Sequence, residues 1–459
     1  MSDPAARRRE LILRGPILGA LVRLGWPVVI TNQLVVLIML ISSFWMGRMV
    51  GTTGLSITAI MTPVELLVLW ILGTVSYGQG ALVSQSVGAN DGRGMNLVAS
   101  SLALQALVST ALALVGLALL TPLAELLAGQ PELVPDLKTY LVPFLISIPA
   151  FGFGDVLLQT ATASGWTKFG LIRIIASLGF VVTVTPLLMK FMHLGVASAP
   201  ATALIGAAAL DLSMWMAIQR RRVALGLGHR DRTARLVDKK VWGRLIGIGA
   251  PVQFGRVATF LAQVILIRHV SQETAAEGAA FGLCFQVLYV PLMFTQALGI
   301  VNGIIVGQNA GARQPARIVS SIKHVVTIVS VVSVLLFFAA PFARPLLALF
   351  SSDDAVVDSA ARALLVMRWG AIATPITQVL VGSYTALGKT RFAGSALIVS
   401  QVVAVIVALT YSGSHLNGAV WGYTVSQCLP LALLAATWSW SFGRIRAGLE
   451  RVADPPKVH

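Results

Sequence analysis

Three carboxylates lie inside long apolar stretches of this chain: Glu65, Asp155 and Asp211. Burying an ionised group at the middle of a bilayer-crossing helix costs about 2.5–3.5 kcal/mol, so each is a candidate for work. A carboxyl in a half-dry surrounding can exchange a proton near neutral pH. Asp155 ends the run Phe151-Gly152-Phe153-Gly154-Asp155 and is the deepest of the three. It either binds a proton or cargo, or bonds neighbouring helices and holds the bundle. Glu65 follows Pro63, where it meets water or sits as an interfacial carboxylate. Asp211 has Arg220, Arg221 and Arg222 a few turns beyond it, which favours a structural ion pair. All three are candidate cation-coupling groups. Arg256 is the basic counterpart: a buried guanidinium holds a carboxylate or phosphate through two bonds, while the bland alternative is snorkelling to headgroups. Neutral groups that could line a substrate cavity are Asn32, Gln33, Ser42, Gln263, Gln286, Tyr289 and Gln378, with Gln253, Gln296 and Ser383 close by in sequence. Aromatic walls with a few directional polar groups suit an organic molecule, although Gln also bonds between helices. The six histidines show no metal-ligand spacing, and no Gly-x-x-x-x-Gly-Lys-[Ser/Thr] phosphate loop occurs.

The elements that must hold these groups follow from composition. The 459 residues are 56% hydrophobic and 11% charged, against about 25% charged in soluble proteins, which excludes a water-soluble enzyme. Two cysteines, Cys284 and Cys428, exclude a disulfide framework. Crossing a bilayer takes roughly 20 apolar residues in a helix. Twelve such stretches are read, near 19–48, 57–86, 96–122, 137–163, 170–190, 195–218, 245–270, 279–307, 321–349, 359–386, 393–412 and 416–441. None alternates in polarity as a barrel strand would.

Charge sets the orientation. With twelve spans both tails share one side, and 23 of the 34 Lys and Arg residues fall in the loops and tails of that side. The opposite loops hold eight acids, among them Glu125, Glu273 and Asp358. Both termini are therefore expected in the cytoplasm, and the net charge of +16 reads as a topology signal, with no nucleic-acid partner. The first apolar run is too long for a cleaved signal peptide.

The chain repeats. Gln85-Ser86-Val87-Gly88-Ala89 answers Gln308-Asn309-Ala310-Gly311-Ala312, and Gly165-Trp166-Thr167-Lys168-Phe169 answers Gly388-Lys389-Thr390-Arg391-Phe392, both 223 residues apart. Pro27 answers Pro251 at an offset of 224. Six spans separate the copies, so both halves enter the membrane in the same direction, related by an axis along the membrane normal. The expected fold is all-α and integral to the membrane: twelve transmembrane helices in two six-helix bundles with a pseudo-two-fold axis along the normal. Residues 1–218 form the N-terminal lobe, 219–244 a basic cytoplasmic linker, 245–441 the C-terminal lobe and 442–459 a cytoplasmic tail.

The paired Gln-x-x-Gly-Ala helix ends, the paired Gly-x-Thr-[Lys/Arg]-Phe turns and the proline-led first and seventh spans resemble the multidrug and toxic compound extrusion (MATE) family, from Pro27 to about Trp440. The resemblance implies two lobes about a central cavity and export of organic molecules, coupled to inward flow of protons or sodium. It also implies an aspartate in the first span, where this chain has Ser42, five residues before Gly47-Arg48. The seventh and tenth spans, where acids are also expected, carry none.

The function expected is therefore a secondary antiporter in the plasma membrane, working as a monomer on a small organic substrate. It needs no cofactor beyond the coupling ion, H+ or Na+, and is no enzyme. The rival reading is a flippase of a lipid-linked or anionic lipid product, which the wider superfamily includes. A membrane enzyme would need an acid–base or metal cluster that the sequence does not offer.

Overall fold

In the computed structural model, residues 4–231, 235–349, 351 and 353–451 are described. They contain helices and turns and no strand. The helices are α1 (Pro4–Leu13), α2 (Ile17–Met49), α3 (Thr52–Ala89), α4 (Gly94–Ala118), α5 (Leu120–Ala128), α6 (Val134–Ala163), α7 (Thr167–Phe191), α8 (Ser198–Arg221), α9 (Lys239–Ser271), α10 (Ala275–Gly311), α11 (Pro315–Ala339), α12 (Arg344–Leu347), α13 (Asp354–Ala386), α14 (Thr390–Thr410) and α15 (His415–Arg451). Helix is what the composition demands, because a backbone surrounded by lipid must satisfy its polar groups within the segment. Prolines inside α2, α3, α6, α7, α9, α13 and α15 interrupt those ladders. Threonine hydroxyls bond carbonyls nearby, as Thr31 does to Pro27 at 2.7 Å and Thr374 to Gly370 at 2.8 Å.

Eleven helices among the described residues are long and apolar enough to cross a membrane. The eighth apolar stretch falls in α10, a helix of 37 residues. Two stretches break before they end. The third divides into α4 and α5 at Leu119, and the ninth gives way after Ala339 to a short 3-10 turn and α12. Pro341 and Pro345 explain the second break, since neither can donate to a continuing ladder. At the other extreme α15 runs on to Arg451, ten residues past the expected end of the last span. No proline occurs between Pro430 and Pro455, so nothing stops it.

The chain divides into two units, one holding the residues up to Arg9 and Trp26–Gly249, the other Glu10–Gly25 and the chain from Ala250 on. Unit 1 has a core of Met46, Ile57, Met61, Leu137, Leu141 and Ile148 toward one end, and of Val83, Val87, Met95, Leu157, Met214 and Ile218 toward the other. The stretch 219–244, expected as a linker between lobes, lies in unit 1. Leu225 and Leu227 are buried in its core, and the Leu227 carbonyl accepts from the Met95 N–H at the start of α4, at 2.9 Å. The Trp242 indole N–H of α9 donates to the Ser100 carbonyl at 3.1 Å. Unit 2 packs Phe281, Leu364, Met367 and Val420 at one end, and Val306, Ile318, Tyr384 and Leu434 at the other. There the end of α1 is fastened in a similar way: the Ile12 carbonyl accepts from Asn309 Nδ2 at 3.3 Å and from the Arg317 guanidinium at 3.1 Å.

The repeated turns share their backbone. Gly165 and Gly388 have φ of 78° and 70°, a left-handed conformation that glycine adopts at little cost, and each precedes a helix opened by threonine. At the other repeated pair the left-handed residues are Asn90 and Arg313, each with φ 56°. The glycines just before them, Gly88 and Gly311, are inside the helices. Asn90 and Arg313 are themselves 223 residues apart.

Candidate functional site

All three intramembrane carboxylates belong to unit 1, and two of them lie along the seam between α3 and α6. Near one end of the seam, Tyr140 Oη of α6 donates to Glu65 Oε1 of α3 at 2.5 Å. Further along, Ser76 Oγ of α3 donates to Asp155 Oδ2 of α6. One turn beyond, Gln79 Nε2 donates to Thr160 Oγ1 at 2.6 Å, and the Thr160 hydroxyl in turn donates to the Val156 carbonyl at 2.8 Å. Ser76, Gln79 and Thr160 are fully buried, while Asp155 and Glu65 are half-buried.

Asp211 is different. It sits on α8, 2% exposed, and both Nε and Nη2 of Arg173 on α7 bond its Oδ1, at 2.9 and 2.7 Å. The expected ion pair is therefore formed, but with Arg173 rather than Arg220, Arg221 or Arg222. Its other oxygen, Oδ2, has no partner among the described residues and is pressed against α6 at Gly154, where a β-carbon would collide with it. A glycine is required there so that α6 can approach the carboxylate.

The remaining candidates are spread over both units. Asn32, Gln33 and Ser42 lie half-buried on α2 in unit 1. Arg256 and Gln263 lie half-buried on α9, and Gln378 on α13, in unit 2. Gln286 and Tyr289 fall on α10, and their side chains lie outside the described residues. Among the described residues no cluster of His, Cys, Asp or Glu could hold a metal ion.

Five residues central to this geometry were not singled out by the sequence: Ser76, Gln79, Tyr140, Thr160 and Arg173. One signal was available for two of them. At the 223-residue offset Gln79 meets Asn302 and Thr160 meets Ser383, both polar in both copies. Asn302 Nδ2 donates to Ser383 Oγ at 2.9 Å, so unit 2 repeats the bond of unit 1.

A polytopic all-helical protein with buried carboxylates held on its apolar helices has the build of a membrane transporter. The comparisons agree. The MatE family profile matches residues 27–187 and 251–410. The FAD transporter of Shewanella oneidensis is 25% identical over 425 residues, covering 89% of this chain and 91% of that one. The multidrug export protein MepA of Staphylococcus aureus is 22% identical, covering 91% and 92%. A crystal structure of MATE in the bent conformation superposes with a TM-score of 0.86 at 16% identity, covering 97% and 98%. The chain belongs to the MatE family, a family of multidrug efflux transporters rather than enzymes.

Proposed function

We propose that this chain is a secondary active exporter, an antiporter that moves an organic small molecule outward against an inward proton or sodium gradient. In this reading twelve spans form two six-helix bundles related by a pseudo-two-fold axis along the membrane normal. The lobes, 1–218 and 245–441, rock about a central cavity. The protein works as a monomer in the plasma membrane with both termini in the cytoplasm, and needs no cofactor beyond the coupling ion. Asp155 is the coupling carboxylate, with Glu65 and Asp211 as the other cation-coupling candidates, in the same unit. Asn32, Gln33, Ser42, Arg256, Gln263, Gln286, Tyr289 and Gln378 contribute to the substrate cavity.

The observation that carries this reading is the Ser76–Asp155 hydrogen bond across α3 and α6. Asp155 is half-buried on an apolar helix, and the hydroxyl that bonds it is neutral. A proton or a sodium ion can compete with a hydroxyl for a carboxylate oxygen. An ion drives transport only if it binds the two states of the protein unequally. A change in the distance between α3 and α6 would supply that inequality.

Proteoliposomes with an imposed proton or sodium gradient and a panel of cationic and anionic dyes test the reading. Uphill dye movement under one gradient is expected, and no movement under either would refute it. The cargo could also be anionic. Arg256, half-buried on α9, favours this second reading, and a relative is named a FAD transporter. Arg256→Ala and Arg256→Lys should then both lose anionic dyes selectively, because lysine cannot reproduce a two-pronged bond. Normal transport of anionic dyes by both variants would remove that role.

A further inference from the structure

One face of α4 carries Ser101, Gln105 and Ser109, spaced four residues apart and so aligned along the helix. This face meets α6 at Gly152, where a β-carbon would lie 2.7 Å from Gln105 Nε2 and 3.2 Å from Ser109 Cβ. Asp155 follows three residues later, on the same side of α6. Gln105 is 1% exposed and Ser101 is fully buried. Neither amide atom of Gln105 has a hydrogen-bond partner among the described residues, nor has Ser101 Oγ, nor Oε1 of Gln79 on α3. Exchanging the oxygen and nitrogen of Gln105 changes nothing, because both are unmet.

Buried polar atoms in such numbers are satisfied by something small that both donates and accepts, and bound water is the usual partner. Unit 2 supports this by contrast. At the 223-residue offset Gln105 and Ser109 become Ile328 and Val332, and Ser101 becomes His324, which is exposed. Asp155 becomes Gln378, and Gln79 becomes Asn302, whose Oδ1 is taken by Ser321 Oγ at 2.9 Å. At these matched positions α11 does not repeat the stripe of α4.

We infer that unit 1 holds a file of bound water between α4 and α6, lined by Ser101, Gln105 and Ser109, that carries protons to and from Asp155. The inference rests on the reading of Asp155 as the ion-exchanging carboxylate. The transfer is a simple hop: a hydrated proton leaves the last water, an O–H bond forms on Asp155, and the carboxylate charge disappears. Gln105 is a positioning residue. Its Nε2 donates to one water and its Oε1 accepts from another, and it exchanges no proton itself. Ser101 extends the file one turn toward the start of α4.

The test uses the full chain in lipid nanodiscs. A density map fine enough to show ordered water should place at least one within hydrogen-bonding distance of Gln105; side chains closed dry around it would overturn the inference. Infrared spectroscopy gives the second arm, following hydrogen–deuterium exchange of the carboxyl band that Asp155→Asn removes. Gln105→Leu should slow that exchange about tenfold or more, while Gln105→Asn, which can still hold water, should restore most of it. Equal exchange in the wild type and Gln105→Leu would overturn the inference. Should Gln105→Leu fold poorly, Ser101→Ala reports on the same file, with slower exchange again expected. If Asp155→Asn exports with normal gradient dependence while Gln105→Leu still slows exchange, the coupling role fails and the water file stands.

Discussion

The α3–α6 seam of unit 1 and the α10–α13 seam of unit 2 descend from one pattern and have diverged in charge. The shared element is a buried hydrogen bond, Gln79 to Thr160 in one and Asn302 to Ser383 in the other. Around it unit 1 keeps Ser76 with Asp155 and Glu65 with Tyr140, where the matching positions of unit 2 are Gly299 with Gln378 and Leu288 with Ala363. The Arg173–Asp211 pair becomes Ala396 and Leu434. The neutral bond that fastens two helices is retained in both copies, and the carboxylates at these matched positions occur only in unit 1. The difference teaches that holding the helices together does not require the acids.

Breaking the ion pair should give the largest effect on stability. Arg173→Ala leaves Asp211 charged and buried alone, which should cost about 3–5 kcal/mol in thermal unfolding of the purified protein. The double variant Arg173→Ala/Asp211→Leu imports the residues of unit 2 and should recover most of that loss; a double variant as unstable as the single would show that the pair does more than neutralise itself. Smaller effects should come from the shared bond. Asn302→Leu removes two bonds, with Ser383 and Ser321, while Gln79→Leu removes one, with Thr160, so the first should cost about 1 kcal/mol more than the second in the same assay. Tyr140→Phe removes one hydroxyl bond to Glu65 and should cost roughly 1–2 kcal/mol.

The smallest effect is expected at Arg344, whose exposed guanidinium pairs with Asp358 at 2.8 Å and Asp354 at 3.1 Å. The hydrogen bond to Asp358, more than any other contact, pushes the Arg344 pKa up. A raised basic pKa contributes stability that is fully present below its unfolded value, so the Arg344 side of this pair adds no pH dependence across the neutral range. Arg344→Ala should change the melting temperature little, and whatever change appears should vanish in high salt.

Much of this architecture could be read from the residues. The apolar runs mark the helices because lipid leaves the backbone no alternative, and the 223-residue offset exposes the duplication through its turns. The three carboxylates stood out for the same reason that makes them costly. Their partners did not. Arg173 lies 38 residues before Asp211 on another helix, and nothing local says that the two faces meet. Ser76 and Gln79 are small polar breaks in an apolar run, as common in packing as in chemistry. The interruption at Leu119 has a local cause in Pro122, which cannot donate to the Ala118 carbonyl four residues back.

The central claim is that Asp155 couples the ion to the cargo from within unit 1. Dye accumulation against its own gradient, in proteoliposomes carrying wild type or Asp155→Gln, tests it most directly. The substitution copies the residue that unit 2 already tolerates, Gln378, so folding should survive. The account requires uphill accumulation to fall by on the order of tenfold or more while downhill dye movement continues. Uphill accumulation by Asp155→Gln at the wild-type level would contradict it.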